Sequence, residues 1–392
     1  MKTDKKALSI YIHIPFCIRK CLYCDFLSAP ADYELQEQYL QALLREIRQE
    51  ATKYKGRLVR TIFFGGGTPS VIPAKWIAKI LQTILDCYQV AKEREITIEV
   101  NPGTVDFEKL SVYQEAGVNR LSIGLQSAHN AELQKLGRIH SAEDFFQTYE
   151  SAIKSGFNNV NVDVMAAIPG QTLASYQSTL HQILALQPPP THISAYSLII
   201  EEGTPFFEDT PQLPDEETDR EMYKITDAIL KENGYHRYEI SNYAKEGYEC
   251  IHNKVYWQRG DYAGFGIGAA SLVDNVRFTN VSDIGDYIYY VNTGNMDTCK
   301  ETQEILSLEE QMEEYMFLGL RMRKGVSTEG FEQTFGKKID AVYPGLVKKL
   351  TEQGLLYGYC DEITGEHYIA LTEFGLDVSN VVMAEFLLKS EN

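Results

Sequence analysis

The feature that most constrains this 392-residue chain is an alternation in its first half between short apolar runs and segments of helical period. The runs are Leu8–Ile14, Val59–Phe64, Ile96–Val100, Arg120–Leu125, Val160–Met165 and His192–Ile200. Several are nearly continuous in apolar residues, which suits parallel strands covered by helices. Between them, Tyr33–Thr52, Ala74–Cys87 and Ala174–Leu186 carry the 3.6-residue period of amphipathic helices. Six successive βα units predict an α/β fold with a parallel sheet, wound or curled into a barrel. A closed eight-stranded barrel needs two more units. None follows residue 200, so the expectation is a partial (β/α)6 barrel.

The second half reads differently. An acidic, proline-bearing stretch (EEGTPFFEDTPQLPDEETDRE) leads into a helix that ends near Gly234, and an aromatic, glycine-rich segment runs from Tyr235 to Ser271. After Leu306 the pattern is helical again, and HYIALTEFGLDVSNVVMAEFLL suits one short strand followed by a helix. The expected domains are a barrel over 1–234, its aromatic and glycine-rich extension over 235–300, and a small helical, winged-helix-like C-terminal domain over 301–392.

Composition narrows the functional classes. With 37 basic and 55 acidic residues the net charge is −18, and no block of five Lys or Arg occurs. Phosphate backbones are bound by clustered positive charge, so no nucleic-acid partner is expected. No stretch approaches the ~20 apolar residues that span a bilayer. The start, MKTDKKALSIYIHIPF, alternates like a strand and reaches Pro15 and Phe16 without a small-residue cleavage site, so it does not read as a signal peptide. A cytoplasmic location is expected.

Of seven cysteines, Cys17, Cys21 and Cys24 fall within eight residues, while Cys87, Cys250, Cys299 and Cys360 are scattered. An odd count in a reducing compartment argues for metal binding or catalysis rather than a disulfide framework. The segment CIRKCLYC is C-x3-C-x2-C directly after the first strand. Three thiolates on one short loop can ligate three irons of a cubane cluster and leave the fourth iron open. Structural zinc is the alternative, but it takes four ligands, commonly from paired knuckles. No second knuckle is near, and His13 is expected to point the wrong way, on the far side of Pro15.

The loop resembles the radical S-adenosylmethionine (SAM) signature, with an aromatic, Tyr23, before the last cysteine. The resemblance continues through FFGGGTPS, EVNPG, NRLSIGLQS, LGRIH, VDVMAAIPGQT, SAYSLIIEEGTP, YEISNYA, HNKVYW and GFGIGAAS, and covers nearly the whole chain. Together these segments resemble the oxygen-independent coproporphyrinogen oxidase family, within it the heme chaperone branch called HemW. The resemblance implies a radical SAM barrel, a [4Fe-4S] cluster on Cys17, Cys21 and Cys24, and SAM bound at the strand ends. It carries the SAM-contact positions onto Tyr11, Gly66, Gly67, Thr68, Glu99, Gln126, Arg138 and Asp163, with Ser197 a weaker addition. Physically, the glycines let backbone approach a ligand, and Glu99, Gln126 and Asp163 can bond ribose hydroxyls or an ammonium. Arg138 can pair with a carboxylate.

Two departures favour the chaperone branch. The oxidases resemble C-x3-C-x2-C-x-C, and the fourth cysteine position is Phe26 here; only ten residues precede Tyr11, where the oxidases carry a longer segment. HNKVYW (252–257) matches the chaperones' H-N-x-x-Y-W. It makes His252 a candidate heme ligand with Tyr256 and Trp257 flanking, Cys250 an alternative, and Lys254 or Arg259 candidate partners for propionates. Ordinary packing of a histidine among tyrosines explains the same residues. The resemblance implies heme as cargo, an acceptor hemoprotein that includes membrane-bound ones, and a monomer–dimer equilibrium. Its alternative is oxidative decarboxylation of coproporphyrinogen III to protoporphyrinogen IX, or a related radical SAM reaction.

Overall fold

The computed structural model describes residues 6–388. The outer ends of the 1–234 and 301–392 segments, residues 1–5 and 389–392, lie outside the described residues. Six βα units follow one another: β1 (Ala7–Ile14) and α1 (Tyr33–Glu50), β2 (Leu58–Gly66) and α2 (Ala74–Cys87), β3 (Val90–Val100) and α3 (Phe107–Glu115). Next come β4 (Arg120–Gln126) with α4 (Asn130–Lys135) and α5 (Ala142–Lys154), then β5 (Val160–Ala166) with α6 (Leu173–Leu184). The sixth is β6 (His192–Ser197) with α7 (Pro205–Glu208) and α8 (Glu216–Glu232). Each strand pairs in parallel with the next. The helices start where side-chain acceptors satisfy their first N–H groups: Asp32 caps α1, Ser141 and Thr172 form capping boxes on α5 and α6, and Asp215 caps α8.

Side chains alternate across the strands. Ile10, Ile12, Ile62, Phe64, Ile98, Leu121, Ile123 and Val162 face the helices and form the main core. The other face is polar and mostly buried, with Ser9, Thr61, Glu95, Thr97, Arg120, Asn161 and His192 among its members. The six strands therefore enclose a polar lumen.

The extension closes the opening between β6 and β1. It comprises β7 (His236–Arg237), β8 (Asn242–Ala244), α9 (Ile251–Trp257), β9 (Tyr262–Phe265), β10 (Ala270–Val273), β11 (Val276–Asn280), α10 (Ile284–Thr293) and β12 (Lys300–Ile305). β8 adds antiparallel to β6 and β9 adds parallel to β1, giving a twelve-stranded sheet ordered β12-β11-β10-β9-β1-β2-β3-β4-β5-β6-β8-β7. Between β8 and β9 the chain crosses the gap as α9. Buried carboxylates fasten both ends of this crossing. Glu95 accepts from the backbone of Ile251 and His252 at 2.9 and 3.0 Å. Glu46 accepts from Gly266 N at 2.8 Å, Asn280 Nδ2 at 2.7 Å and Tyr287 Oη at 2.6 Å. Burial pushes the Glu46 pKa up to about 7.

The C-terminal region has its own core around Met312, Met316, Phe331, Leu350, Ile369 and Phe386. Its helices are α11 (Leu308–Gly319), α12 (Thr328–Phe335), α13 (Ile339–Val342), α14 (Leu346–Glu352), α15 (Glu373–Asp377) and α16 (Ser379–Ala384). A small antiparallel sheet, β13 (Val326–Ser327), β15 (His367–Leu371) and β14 (Leu356–Cys360), accompanies them, two strands more than the sequence reading expected. Since β12 runs to Ile305 within the large sheet, the second core starts only after it. Among the described residues no helix is long and apolar enough to cross a membrane.

The two cores are joined by ion pairs. Glu314 on α11 bonds Arg259 Nε at 2.9 Å and Arg277 Nη2 at 2.6 Å, and it and Arg259 are nearly solvent-free. Arg321 lies over the Trp257 ring at 4.2 Å, tying the C-terminal region to α9. Removing one partner of a buried pair leaves the other uncompensated. Glu314→Ala is therefore expected to lower stability by about 3 kcal/mol in urea unfolding, whereas a loss within a few tenths of a kcal/mol would show that the pair is dispensable.

Candidate functional site

A cavity of about 750 Å3 opens at the C-terminal ends of β1–β6 and reaches down the lumen. This is the end of a parallel barrel at which ligands bind. Cys17, Cys21 and Cys24 line it, all reduced and partly exposed. Their loop is pinned at both ends. Cys17 N donates to Ala29 O and Ala29 N to Pro15 O at the base, while Leu22 N donates to Leu136 O across the cavity edge. Among the described residues no three Cys, His, Asp or Glu side chains converge as one bound metal ion requires. A cubane cluster needs no such convergence, because each thiolate meets a different iron. The loop's chemistry fits a cluster.

Glycine is required beside this loop. A Cβ on Gly67 would stand 2.7 Å from Phe16 O and 3.0 Å from Cys17 Sγ; one on Gly66, at φ +112°, would meet the His13 ring at 2.6 Å. His13 lines the cavity, contrary to the expectation that it points away. Its Nε2 is 2.8 Å from Leu27 O and its Nδ1 is 3.1 Å from Tyr11 Oη, so it props the cysteine loop rather than offering a free nitrogen.

A hydrogen-bonded chain crosses the mouth. Arg138 donates to Tyr23 Oη at 2.7 Å and to Asn101 Oδ1 at 3.1 Å, Asn101 Nδ2 donates to Thr68 Oγ1 at 2.9 Å, and Thr68 Oγ1 is 3.6 Å from Cys17 Sγ. Arg138 Nε is buried with no partner among the described residues. Such an orphaned guanidinium donor beside the cavity suits an incoming carboxylate.

Deeper, Glu99 and Asp163 face the cavity from β3 and β5. Burial, reinforced by the Asp163 charge, pushes Glu99 up to about 8, while a Gly66 N–H opposes the shift. Burial also raises Asp163, against hydrogen bonds that include Asn161 Nδ2 at 2.7 Å. Two carboxyls held toward their neutral forms make a receptor for a cation. Gln126 completes the set, accepting from Tyr196 Oη at 3.0 Å with its backbone at φ +71°, a left-handed conformation that costs a non-glycine residue about 1–3 kcal/mol.

The structure thus brings Tyr11, Cys17, Cys21, Tyr23, Cys24, Gly66, Gly67, Thr68, Glu99, Gln126, Arg138 and Asp163 to one cavity. Ser197 also lines it, though its hydroxyl is committed to Asp219 at 2.6 Å. His252 is not brought there. It is 1% exposed on α9, stacked on Phe63, with Nδ1 2.8 Å from Thr61 Oγ1 and Nε2 2.9 Å from Tyr256 Oη. Burial and the nearby Arg120 charge hold it down at about 3, a neutral ring with both nitrogens engaged. Cys250 is also fully buried, its thiol directed to Glu95. Lys254 faces Glu249, and Arg259 is committed to Glu314 and Asn275. Residues the sequence reading passed over are Asn101, Arg120, Tyr196 and Asn253, although all four lie inside the motifs it singled out.

The folded-state value of Glu99 lies above the ordinary 4.5. The folded, ligand-free chain then holds a proton that the unfolded chain has lost, and stability falls as pH rises from about 4.5 to about 8. Glu99→Gln should remove a slope of about 1 kcal/mol per pH unit across that window. Urea unfolding of both proteins from pH 5 to 8 measures it; parallel curves would mean that Glu99 titrates normally.

Comparison with known proteins agrees with the geometry. The Radical SAM superfamily model matches residues 11–183 and the HemN C-terminal domain model residues 306–357. The heme chaperone HemW of Bacillus subtilis is 37% identical over 384 residues, covering 97% of this chain and 99% of that protein. HemW of Lactococcus lactis is 34% identical over 392 residues, covering 99% of each. HemW of Escherichia coli is 41% identical over 267 residues, 68% of this chain and 70% of that one. Among solved structures, coproporphyrinogen III oxidase (HemN) from Escherichia coli superposes with a TM-score of 0.84 at 22% identity, covering 98% of this chain and 90% of that chain. At that identity the likeness speaks for the fold alone.

Proposed function

The chain belongs to the heme chaperone HemW family of radical SAM proteins, and from that premise we propose that it binds heme and hands it to an acceptor hemoprotein, membrane-bound acceptors included. The observation that carries the cargo is the cavity mouth. Phe26, 60% exposed, and Ile199, 67% exposed, stand there beside Arg19 and Lys20. A surface that is apolar with basic residues beside it suits a flat apolar macrocycle carrying carboxylates. Phe26 also occupies the position at which the oxidases carry a fourth cysteine, which argues against coproporphyrinogen oxidation.

In this reading Cys17, Cys21 and Cys24 hold a [4Fe-4S] cluster, and SAM occupies the cavity beside it. One-electron reduction of the SAM sulfonium is the chemistry that the cluster supplies when bound. The chain's own part is binding and orientation. Arg138, braced by Tyr23 and Asn101, pairs with the methionine carboxylate. Glu99 and Asp163 lie deeper, where an ammonium or ribose hydroxyls are received, and Gly66 and Gly67 let backbone close over the ligand. His252 anchors α9 in the lumen. An iron takes its imidazole only if the bond to Thr61 or Tyr256 is given up.

Anaerobic reconstitution followed by heme titration tests the proposal. Wild type is expected to bind heme saturably and to form no protoporphyrinogen IX from coproporphyrinogen III; product formation would sink the carrier reading in favour of the oxidase. Replacing Cys17, Cys21 and Cys24 together by Ser should abolish bound iron and sulfide while circular dichroism stays unchanged, because none of the three cysteine side chains belongs to a hydrophobic core. His252→Ala is expected to cost about 1–3 kcal/mol through the lost buried hydrogen bonds, with the heme Soret band unaltered. A shifted band would make His252 a ligand that α9 releases.

A further inference from the structure

Arg120 begins β4, at the end of the lumen opposite the cysteine loop, and is the bulkiest fully buried side chain among the described residues. It lines the floor of the cavity, yet its Nε has no hydrogen-bond partner among the described residues. Three acids lie near enough to act on it through space, Glu95, Asp163 and Glu99, and each has other partners, Glu99 a backbone N–H of Gly66. The oxygens of Glu95 accept from Ile251 N and His252 N, and Asp163 accepts from Asn161 Nδ2 at 2.7 Å and Ser122 Oγ at 3.4 Å. The remaining neighbours on the floor, Asn161, Ser194, Ser241, Asn242 and Asn253, are neutral and polar. Asn242 Oδ1 is likewise buried without a partner among the described residues.

A buried guanidinium is rarely left with unmet donors, and its planar fork matches a carboxylate in two parallel bonds. Among the described residues no carboxylate meets this fork in two parallel bonds, so the complement is sought in a ligand. Arg138, which takes the SAM carboxylate in the reading above, stands at the opposite end of the same cavity beside Tyr23. A ligand reaching the floor from the apolar mouth must combine a large apolar body with a carboxylate on an arm.

We infer that the cavity floor around Arg120 is a carboxylate subsite, separate from the Arg138 end, and that it receives a propionate of the porphyrin. This inference rests on the carrier reading above.

The test is titration of the full-length, cluster-loaded protein with heme and with heme dimethyl ester, whose propionates are blocked. Wild type is expected to favour heme over the ester by tenfold or more. Arg120→Gln should bring that ratio close to one, leaving the affinity for the ester as it was. A folded Arg120→Gln protein that keeps the wild-type ratio overturns the subsite, as does a wild type that binds heme and ester equally. Binding of neither compound by wild type brings down the carrier reading itself, and the inference with it. Should Arg120→Gln not fold, Asn253→Asp substitutes for it by adding a negative charge at the floor. It should weaken heme binding severalfold and leave the ester unaffected; equal affinity for heme in Asn253→Asp and wild type likewise overturns the subsite.

Discussion

Six parallel strands do not close a barrel, and in this protein the opening is held shut by the carboxylate of Glu95. It takes the first backbone N–H groups of α9, which would otherwise be unsatisfied in a buried helix start. From that bond outward the late chain finds its place. α9 lays His252 on Phe63 and its hydrogen bonds on Thr61 and Tyr256, then passes Trp257 to Arg321 of the C-terminal region. Glu46 and Glu314 repeat the device at the next two junctions. Each buried glutamate accepts from several donors of a segment far away in sequence, so each late segment has a single seat. Unpaired, any of these carboxylates would cost several kcal/mol to bury.

The same lumen polarity that needs a plug at one end makes a receptor at the other. The main apolar core lies on the helix side of the sheet, so inward positions are free to carry Glu99, Asp163, Gln126, Arg120 and Arg138. Their environment is expensive: carboxyls are held toward neutrality, guanidinium donors go unmet, and Gln126 sits in a left-handed conformation. Local conflicts of this kind collect at functional sites, where a ligand resolves them. The outer core, closely packed and apolar, is what lets the fold sustain them.

Legibility in the sequence followed the same division. The strands β1–β6 were readable because both faces are buried and the helix-facing residues are Ile, Leu, Val and Phe. The cysteine loop and its partners were readable because chemistry at a strand end needs a few residue types at set spacings. The sequence cannot mark which side of a helix meets a cavity, and that is why His252 suggested a ligand. In HNKVYW the histidine turns toward Thr61 and Phe63 and the asparagine lines the cavity, a choice made by Glu95, more than 150 residues away in sequence. The edge strands escaped notice for a plainer reason. β12 is exposed along nearly its whole length, with the sequence KETQEI, and β13 has two residues, so neither carries an alternating pattern.

Charge in the cavity couples occupancy to proton balance. In the ligand-free protein the acid at Glu99 holds a proton near neutral pH, because burial and the Asp163 charge outweigh the Gly66 N–H and the Arg120 charge that oppose them. A ligand with an ammonium reverses that preference: an adjacent positive charge favours the carboxylate, and the proton leaves. On the reading proposed above, binding of SAM then replaces a neutral acid by an ion pair within a low-dielectric chamber, where such pairs are strong. The two guanidiniums do the converse for carboxylates at the two ends. The lumen is therefore balanced only when ligands of both signs are present, so each ligand lowers the electrostatic cost of admitting the next. Such a coupling requires no moving part, since Glu99, Asp163, Arg120 and Arg138 line one cavity.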